Sequence, residues 1–269
     1  AILVTCVAFK SDNSDSQTVS ISQGPVRGYR EDGQFIFYGI PYATTPVGVN
    51  KFMAPNEPPT WQDTFEAIDR KIICPQLQIM PHDKTMQEDC LVTTVFVPDT
   101  NAVNLPVVVY VHGGAYLMGS GNDMTPTNLV RSGRVIAVTF NYRLGIHGFL
   151  CLGTEKAPGN AGSKDQVALL RWVSKNIASF GGNPSDVTIA GCSAGSSSVD
   201  LIMLSDMAKG LFNKVILASG TNVALWSVQL DPLQTARDHA TRMRVDNVDD
   251  LNALEDYYTS ASWDHFLHS

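Results

Sequence analysis

The sequence predicts an α/β domain with a mostly parallel central sheet and helices on both faces, and three observations carry that expectation. Two β-rich runs, from Val107 in "LPVVVYVHGG" and from Val135 in "RVIAVTFNYR", are nearly continuous in apolar residues, as in central strands covered on both sides. In "SKDQVALLRWVSKNIASFGGNP", Val167, Leu170, Val173, Ile177 and Phe180 recur every three or four residues, the spacing of one helix face. Lys164, Asp165, Arg171 and Lys175 lie mostly off that stripe. The alternation of strand, helix and strand through "DVTIAGCS" and "NKVILASG" predicts parallel strands joined by right-handed crossovers.

The elements follow in chain order. Residues 1–9 are apolar or small apart from Thr5, and a polar run follows, which reads as the remnant of a secretory signal peptide. A short N-terminal strand is the plainer alternative. "TVSISQG" and "LVTTVFVP" add two β-rich runs. Residues 39–60 are dense in Pro and Gly with aromatics interleaved, and read as an ordered loop wrapping the sheet edge. Gly181, Gly182 and Pro184 stop the long helix. Beyond Gly220, "DPLQTARDHATRMRVDNVDDLNALEDYY" reads as helical. Residues 10–269 are therefore expected to form part of one large α/β domain.

Composition narrows the function classes. The chain has 269 residues, a formal net charge of −7 and no block of like charges, which speaks against a nucleic-acid partner. No apolar run approaches the ~20 residues of a transmembrane helix. Five cysteines suit a secreted protein with one or two disulfides, and Cys6 would leave with a signal peptide. No Cys/His spacing suggests a metal site, and no cofactor is implied.

The chemistry concentrates in two glycine-rich stretches. "TIAGCSAGSSS" places Ser193 in a G-x-S-x-G setting between a strand and a helical run, the context of a nucleophile elbow. Alone, that motif is weak, since Gly and Ser cluster in many loops. "VYVHGGAYLMGSG" puts His112, Gly113, Gly114 and Ala115 at the end of another strand. Main-chain N–H groups there would have to approach a developing oxyanion to about 3 Å, which demands tiny side chains. A plain Gly-rich turn does not explain why the two stretches occur together and in this order.

With these motifs in place, the chain resembles the N-terminal half of a type B carboxylesterase, the cholinesterase-like group of the α/β-hydrolase fold. The resemblance runs through "GPVRGYR", "FYGIPYATTP", "KFMAPNEPPTW", "QEDCLVTTVFVP", "VTFNYRLGIHGFL" and "GNAGSKDQVALLRWVSKNIASFGGNPSDVTIAGCSAGSSSV", with a flavour similar to insect carboxylesterases. It implies Ser193 as nucleophile and the N–H groups of Gly114, Ala115 and Ala194 as oxyanion hole. It also implies a disulfide between Cys74 and Cys90. Cys192 stands where many members have Glu, and is expected to be a small buried residue. The resemblance makes His112 and His147 structural, gives Ser198 a supporting hydroxyl, and makes Glu88 and Asp89 loop-anchoring and ion-pairing groups; His82 has no motif around it.

The same resemblance exposes a gap. In α/β-hydrolases the triad follows the order Ser, acid, His. After Ser193 the chain offers His239, His265 and His268, with Asp231, Glu255 and Asp264 nearby, none in a glycine-flanked loop after a suitable strand. The expectation is a secreted serine carboxylesterase acting on a small-molecule ester, with the C-terminal part of the fold, including the triad acid and His, lying outside this chain, which alone would be inactive. The contrasting expectation is a non-catalytic cholinesterase-like adhesion or binding ectodomain.

Overall fold

A computed structural model describes residues 15–77 and 83–268, with His268 described in its main chain only. The chain forms β1 (Ser16–Ile21), β2 (Gly24–Glu31), β3 (Gln34–Pro41), β4 (Phe65–Glu66), β5 (Ile72–Ile73), β6 (Thr85–Met86), β7 (Val92–Pro98) and β8 (Leu105–Val111). Then come α1 (Thr127–Val130), β9 (Ile136–Phe140), α2 (Gly145–Phe149), α3 (Ala161–Asn176), β10 (Gly182–Cys192) and α4 (Ala194–Met203). The last elements are β11 (Lys214–Ala218), α5 (Pro232–Arg242) and α6 (Leu251–Ser260). The signal-peptide remnant expected at residues 1–9 lies outside the described residues.

The main sheet runs in the order β1-β2-β3-β7-β9-β8-β10-β11. It is mixed: β9, β8, β10 and β11 are mutually parallel, whereas β1, β2, β3 and β7 pair antiparallel. The sheet is therefore more antiparallel than the strand–helix rhythm predicts, because that rhythm starts only after β8. The first strands are joined by tight turns, which enforce antiparallel pairing. The loop expected over 39–60 starts later than the Pro and Gly pattern suggests, since β3 continues through Pro41.

One face of the sheet carries the main core. Val107, Val109 and Val111 of β8, Ile136 and Val138 of β9, and Val187 and Ile189 of β10 meet Val167, Leu170 and Val173 of α3 and Val199 and Ile202 of α4. The opposite face has a smaller cluster of Ile36, Tyr38, Phe96, Val130 and Ala137, centred on β3, β7 and β9. Farther along, that face is more open: in the row Tyr110–Ala190–Ile216, Tyr110 is half-buried and Ile216 is 54% exposed. A third cluster joins α5 and α6 to Phe52, Leu150 and Leu152.

Asp165, placed off the apolar stripe by the sequence, is completely buried. It holds Arg143 through both oxygens, at 2.6 and 2.8 Å. Buried polar groups persist only when fully partnered, and this pair explains how a charged residue enters the core side of α3.

Candidate active site

Ser193 links β10 to α4, with φ 55° and ψ −123°. A residue with a side chain rarely adopts such a backbone, so the neighbouring contacts must hold it there. Ser193 N donates to Ala218 O of β11 at 2.9 Å, and Ser193 O accepts from Ser197 N at 3.1 Å. Strand and helix approach so closely that a Cβ on Gly191 would strike the main chain of Gly195. One on Gly195 would strike the carbonyl of Val111 and lie 2.7 Å from His112 O. The two flanking glycines are thus required by close approach, not merely by turn formation.

The second glycine-rich stretch folds over the same point. A Cβ on Gly113 would sit 2.6 Å from Cys192 O and 3.3 Å from Ser193 Cβ, which places this loop directly against the serine. Gly114, Ala115 and Tyr116 all have positive φ, at 111°, 57° and 62°. Leu117 N and Met118 N close the turn by donating to Gly114 O at 2.9 and 3.0 Å. Among the described residues, no hydrogen bond takes the main-chain N–H of Gly114, Ala115 or Ala194. Ala194 also opens a ten-residue helix, whose first N–H groups and dipole favour negative charge. The loop, the helix start and Ser193 therefore form one anion-favouring corner with a hydroxyl in it.

His112 supports this corner without facing it. Its ring stacks on Tyr142 at 4.3 Å, Nδ1 lies 2.8 Å from Gly113 O, and Tyr142 Oη donates to His112 O at 2.9 Å. Nδ1 facing a carbonyl must carry the proton, which fixes the neutral tautomer. No described histidine or carboxylate hydrogen-bonds Ser193 Oγ. His239 Nδ1 meets Tyr258 Oη at 2.8 Å and His265 Nε2 meets Tyr257 Oη at 3.0 Å. Asp231 caps α5, and Glu255 pairs with Lys156 at 3.3 Å. Asp264 has its carboxyl held low by a hydrogen bond from Ser262. His82 lies outside the described residues.

Comparison with known proteins gives the family and the fold. The sequence profile of the carboxylesterase family matches residues 15–268. The chain belongs to the carboxylesterase family. It is 44% identical over 215 residues to para-nitrobenzyl esterase of Bacillus subtilis (strain 168), covering 77% of this chain and 44% of that protein. It is 36% identical to mouse (Mus musculus) neuroligin-2 over 284 residues, covering 88% of this chain and 34% of that protein. The structure superposes on juvenile hormone esterase from Manduca sexta, solved with OTFP covalently attached, with a TM-score of 0.85 and 32% identity. That match covers 94% of this chain and 50% of the other. The chain thus spans about half or less of these relatives, and its fold is that of the α/β-hydrolase esterases.

Around this corner, the remaining residues take definite places. Cys74 and Cys90 form a disulfide. Cys151 and Cys192 are free thiols, and Cys192 is half-buried rather than buried as expected. Ser198 Oγ accepts from Gln166 Nε2 at 3.1 Å and lies 3.4 Å from Tyr116 Oη. Ser196 and Ser197 bind the carbonyls of Gly220 and Thr221, tying the segment after β11 to α4. Glu88 O accepts from Cys90 N at 2.9 Å and Asp89 O from Gln87 Nε2 at 2.6 Å, contacts internal to the loop, and among the described residues neither carboxylate forms an ion pair. Sequence reading overlooked the aromatic wall: Tyr116 packs on Phe149 at 5.0 Å and near Trp226 at 6.5 Å. Its signal was the aromatic residue directly after the "HGGA" run.

Two buried imidazoles make stability depend on pH. Burial pulls His112 and His147 down to about 4, from an ordinary value of 6.5. The unfolded chain then binds more protons than the folded one between about pH 4 and 6.5. Stability is full above that window and is lost as pH falls through it, by ~3 kcal/mol for each imidazole. Urea midpoints measured from pH 7.5 to 4.5 are expected to fall steadily; a flat profile would refute the assignment.

Proposed function

We propose that this chain supplies the nucleophile and oxyanion hole of a secreted serine carboxylesterase. The observation that carries the reading is Ser193 on a strained elbow, covered by a positive-φ loop whose free N–H groups adjoin the start of α4. Ser193 Oγ attacks the carbonyl carbon of an ester and its proton passes to a histidine. The carbonyl oxygen becomes an oxyanion on Gly114, Ala115 and Ala194. The alcohol departs with that proton, leaving an acyl-serine that water hydrolyses to a carboxylic acid and free serine. One hole donor of this type is worth about 3 kcal/mol of barrier.

No described residue supplies the histidine or its acidic partner, so the reading needs further protein packed beside Ser193, and the described residues alone fall short of a full triad. The exposed surface beside the site supports this. β11 is an edge strand with Ile216 54% and Leu217 40% exposed, and the segment after it presents Val223 at 81% and Leu225 at 101%. An edge strand and apolar surface of this kind are normally covered in a finished fold. Secretion is supported by the apolar N-terminal run and the Cys74–Cys90 disulfide.

Similarity to neuroligin-2 favours a second reading, a non-catalytic binding ectodomain. Fluorophosphonate labelling separates the two. In the protein carrying the family's complete domain, prompt labelling at Ser193, absent in Ser193→Ala, supports the esterase. A folded complete protein that fails to label would favour the binding ectodomain.

A further inference from the structure

A groove of about 160 Å³ lies between α3 and residues 54–58, and none of the residues around Ser193 lines it. Lys164, Arg171 and Lys175 line one side. Steps of seven and four residues keep all three on a single helical stripe, with Cα positions rising by roughly 10 and 6 Å. Ala168, on the same stripe, leaves depth between them. Pro55 and Pro58 form part of the facing wall. Trp172, also lining the groove, is locked by its Nε1 donating to Gln23 Oε1 at 2.6 Å.

The cations here are held but not neutralised. Lys164 Nζ donates to Gly159 O at 2.9 Å, and Arg171 Nη2 reaches Met207 O at 3.4 Å, both uncharged acceptors. Among the described residues none of the three basic side chains forms an ion pair. The nearby carboxylate of Asp165 is committed to Arg143. Glu57 is the single carboxylate in the lining and is itself exposed. In a chain of net charge −7, three cations facing one carboxylate along one concavity form a local reversal of charge.

We propose that this groove binds a small oxyanion carried on an apolar body of aryl size. The cations supply only donors, and the guanidinium fork suits phosphate, sulfate or carboxylate. The volume matches a cavity of ~150 Å³ that accepts benzene. Ala54, Pro55 and Pro58 on one wall and Ala168 on the other give the body its apolar surface.

The test is titration of the purified chain with phenyl phosphate, benzoate and inorganic phosphate at low salt, followed by calorimetry and Trp fluorescence. One saturable site is expected, with phenyl phosphate or benzoate binding about tenfold tighter than inorganic phosphate. R171Q/K175Q should weaken binding at least about tenfold, whereas R131Q/R134Q, with the same charge change elsewhere, should shift it less than about twofold. Ser193→Ala should leave it unchanged, which separates this groove from the oxyanion corner. Unchanged melting of R171Q/K175Q controls for folding. The better of the two aryl probes identifies the preferred head group. Absence of saturation, equal effects of the two double variants, or inorganic phosphate binding as tightly as the aryl compounds would overturn the proposal.

Discussion

Hydrolysis of p-nitrophenyl butyrate by the purified chain is expected to stay about 10³–10⁴-fold above the uncatalysed rate and to change little in Ser193→Ala. The reason is the division of labour in a triad enzyme. A serine hydroxyl without a base to take its proton is a poor nucleophile, and no described histidine or carboxylate hydrogen-bonds Ser193 Oγ. What remains is the proposed oxyanion corner: the N–H groups of Gly114, Ala115 and Ala194, and the start of α4. Those groups stabilise attack by water as readily as attack by serine. Triad members act as a unit, so deleting the serine when the base is already missing removes little more. In a site with its base present, Ser193→Ala would instead cost about 10⁶-fold. A loss of that size in this chain would show that a working base lies within residues 1–269. The measurement is initial rate against a matched buffer blank, with a folded-state check by circular dichroism.

Much of this site was legible in the sequence because its demands are steric. Gly191 and Gly195 are forced by the approach of α4 to β10 and β8, and Gly113 by the approach to Cys192 and Ser193. Such constraints fall on single positions and leave a fixed spacing in the chain. Of the parallel strands, β9 was legible for a similar reason, since burial on both faces makes it nearly continuous in apolar residues, whereas β8 is as apolar in sequence yet buries only alternate residues and leaves its second face partly open. Asp165 and Cys192 were not legible. Asp165 reads as a surface residue because helical periodicity records polarity, while its burial depends on Arg143, a residue on a different element. Cys192 ends β10 half-buried, and its exposure depends on segments distant in sequence, which no local pattern encodes. The aromatic wall of Tyr116, Phe149 and Trp226 comes from three separate segments and exists only once the loop after β11 is tied to α4 by Ser196 and Ser197.

Asp165→Ala is expected to destabilise the chain by about 3–5 kcal/mol, a large effect for one side chain. Arg143 and Asp165 are 2% and 0% exposed at their side chains. The carboxylate accepts from Arg143 Nε, Nη2 and main-chain N, at 2.8, 2.6 and 3.1 Å. Arg143 Nη1 donates onward to Lys51 O and Met53 O, both at 2.9 Å. One carboxylate thereby fixes α3, the segment after β9 and residues 51–53 together. Removing it strands a guanidinium that cannot shed its charge, and that uncompensated burial sets the cost. Asp165→Asn should also destabilise, since it keeps the shape but loses the charge. Arg143→Met/Asp165→Leu should recover part of the loss, because an apolar pair carries no desolvation cost, though Lys51 O and Met53 O then lack donors. Equilibrium urea denaturation of the three variants decides it, and a cost below about 1 kcal/mol for Asp165→Ala would mean the pair is not structural. The effect should reach the active corner. Gly145 N, two residues from Arg143, donates to Tyr116 O at 2.7 Å, and Tyr116 continues the positive-φ run that includes Gly114 and Ala115. The ion pair that holds α3 therefore also holds the turn that carries the proposed oxyanion-hole donors.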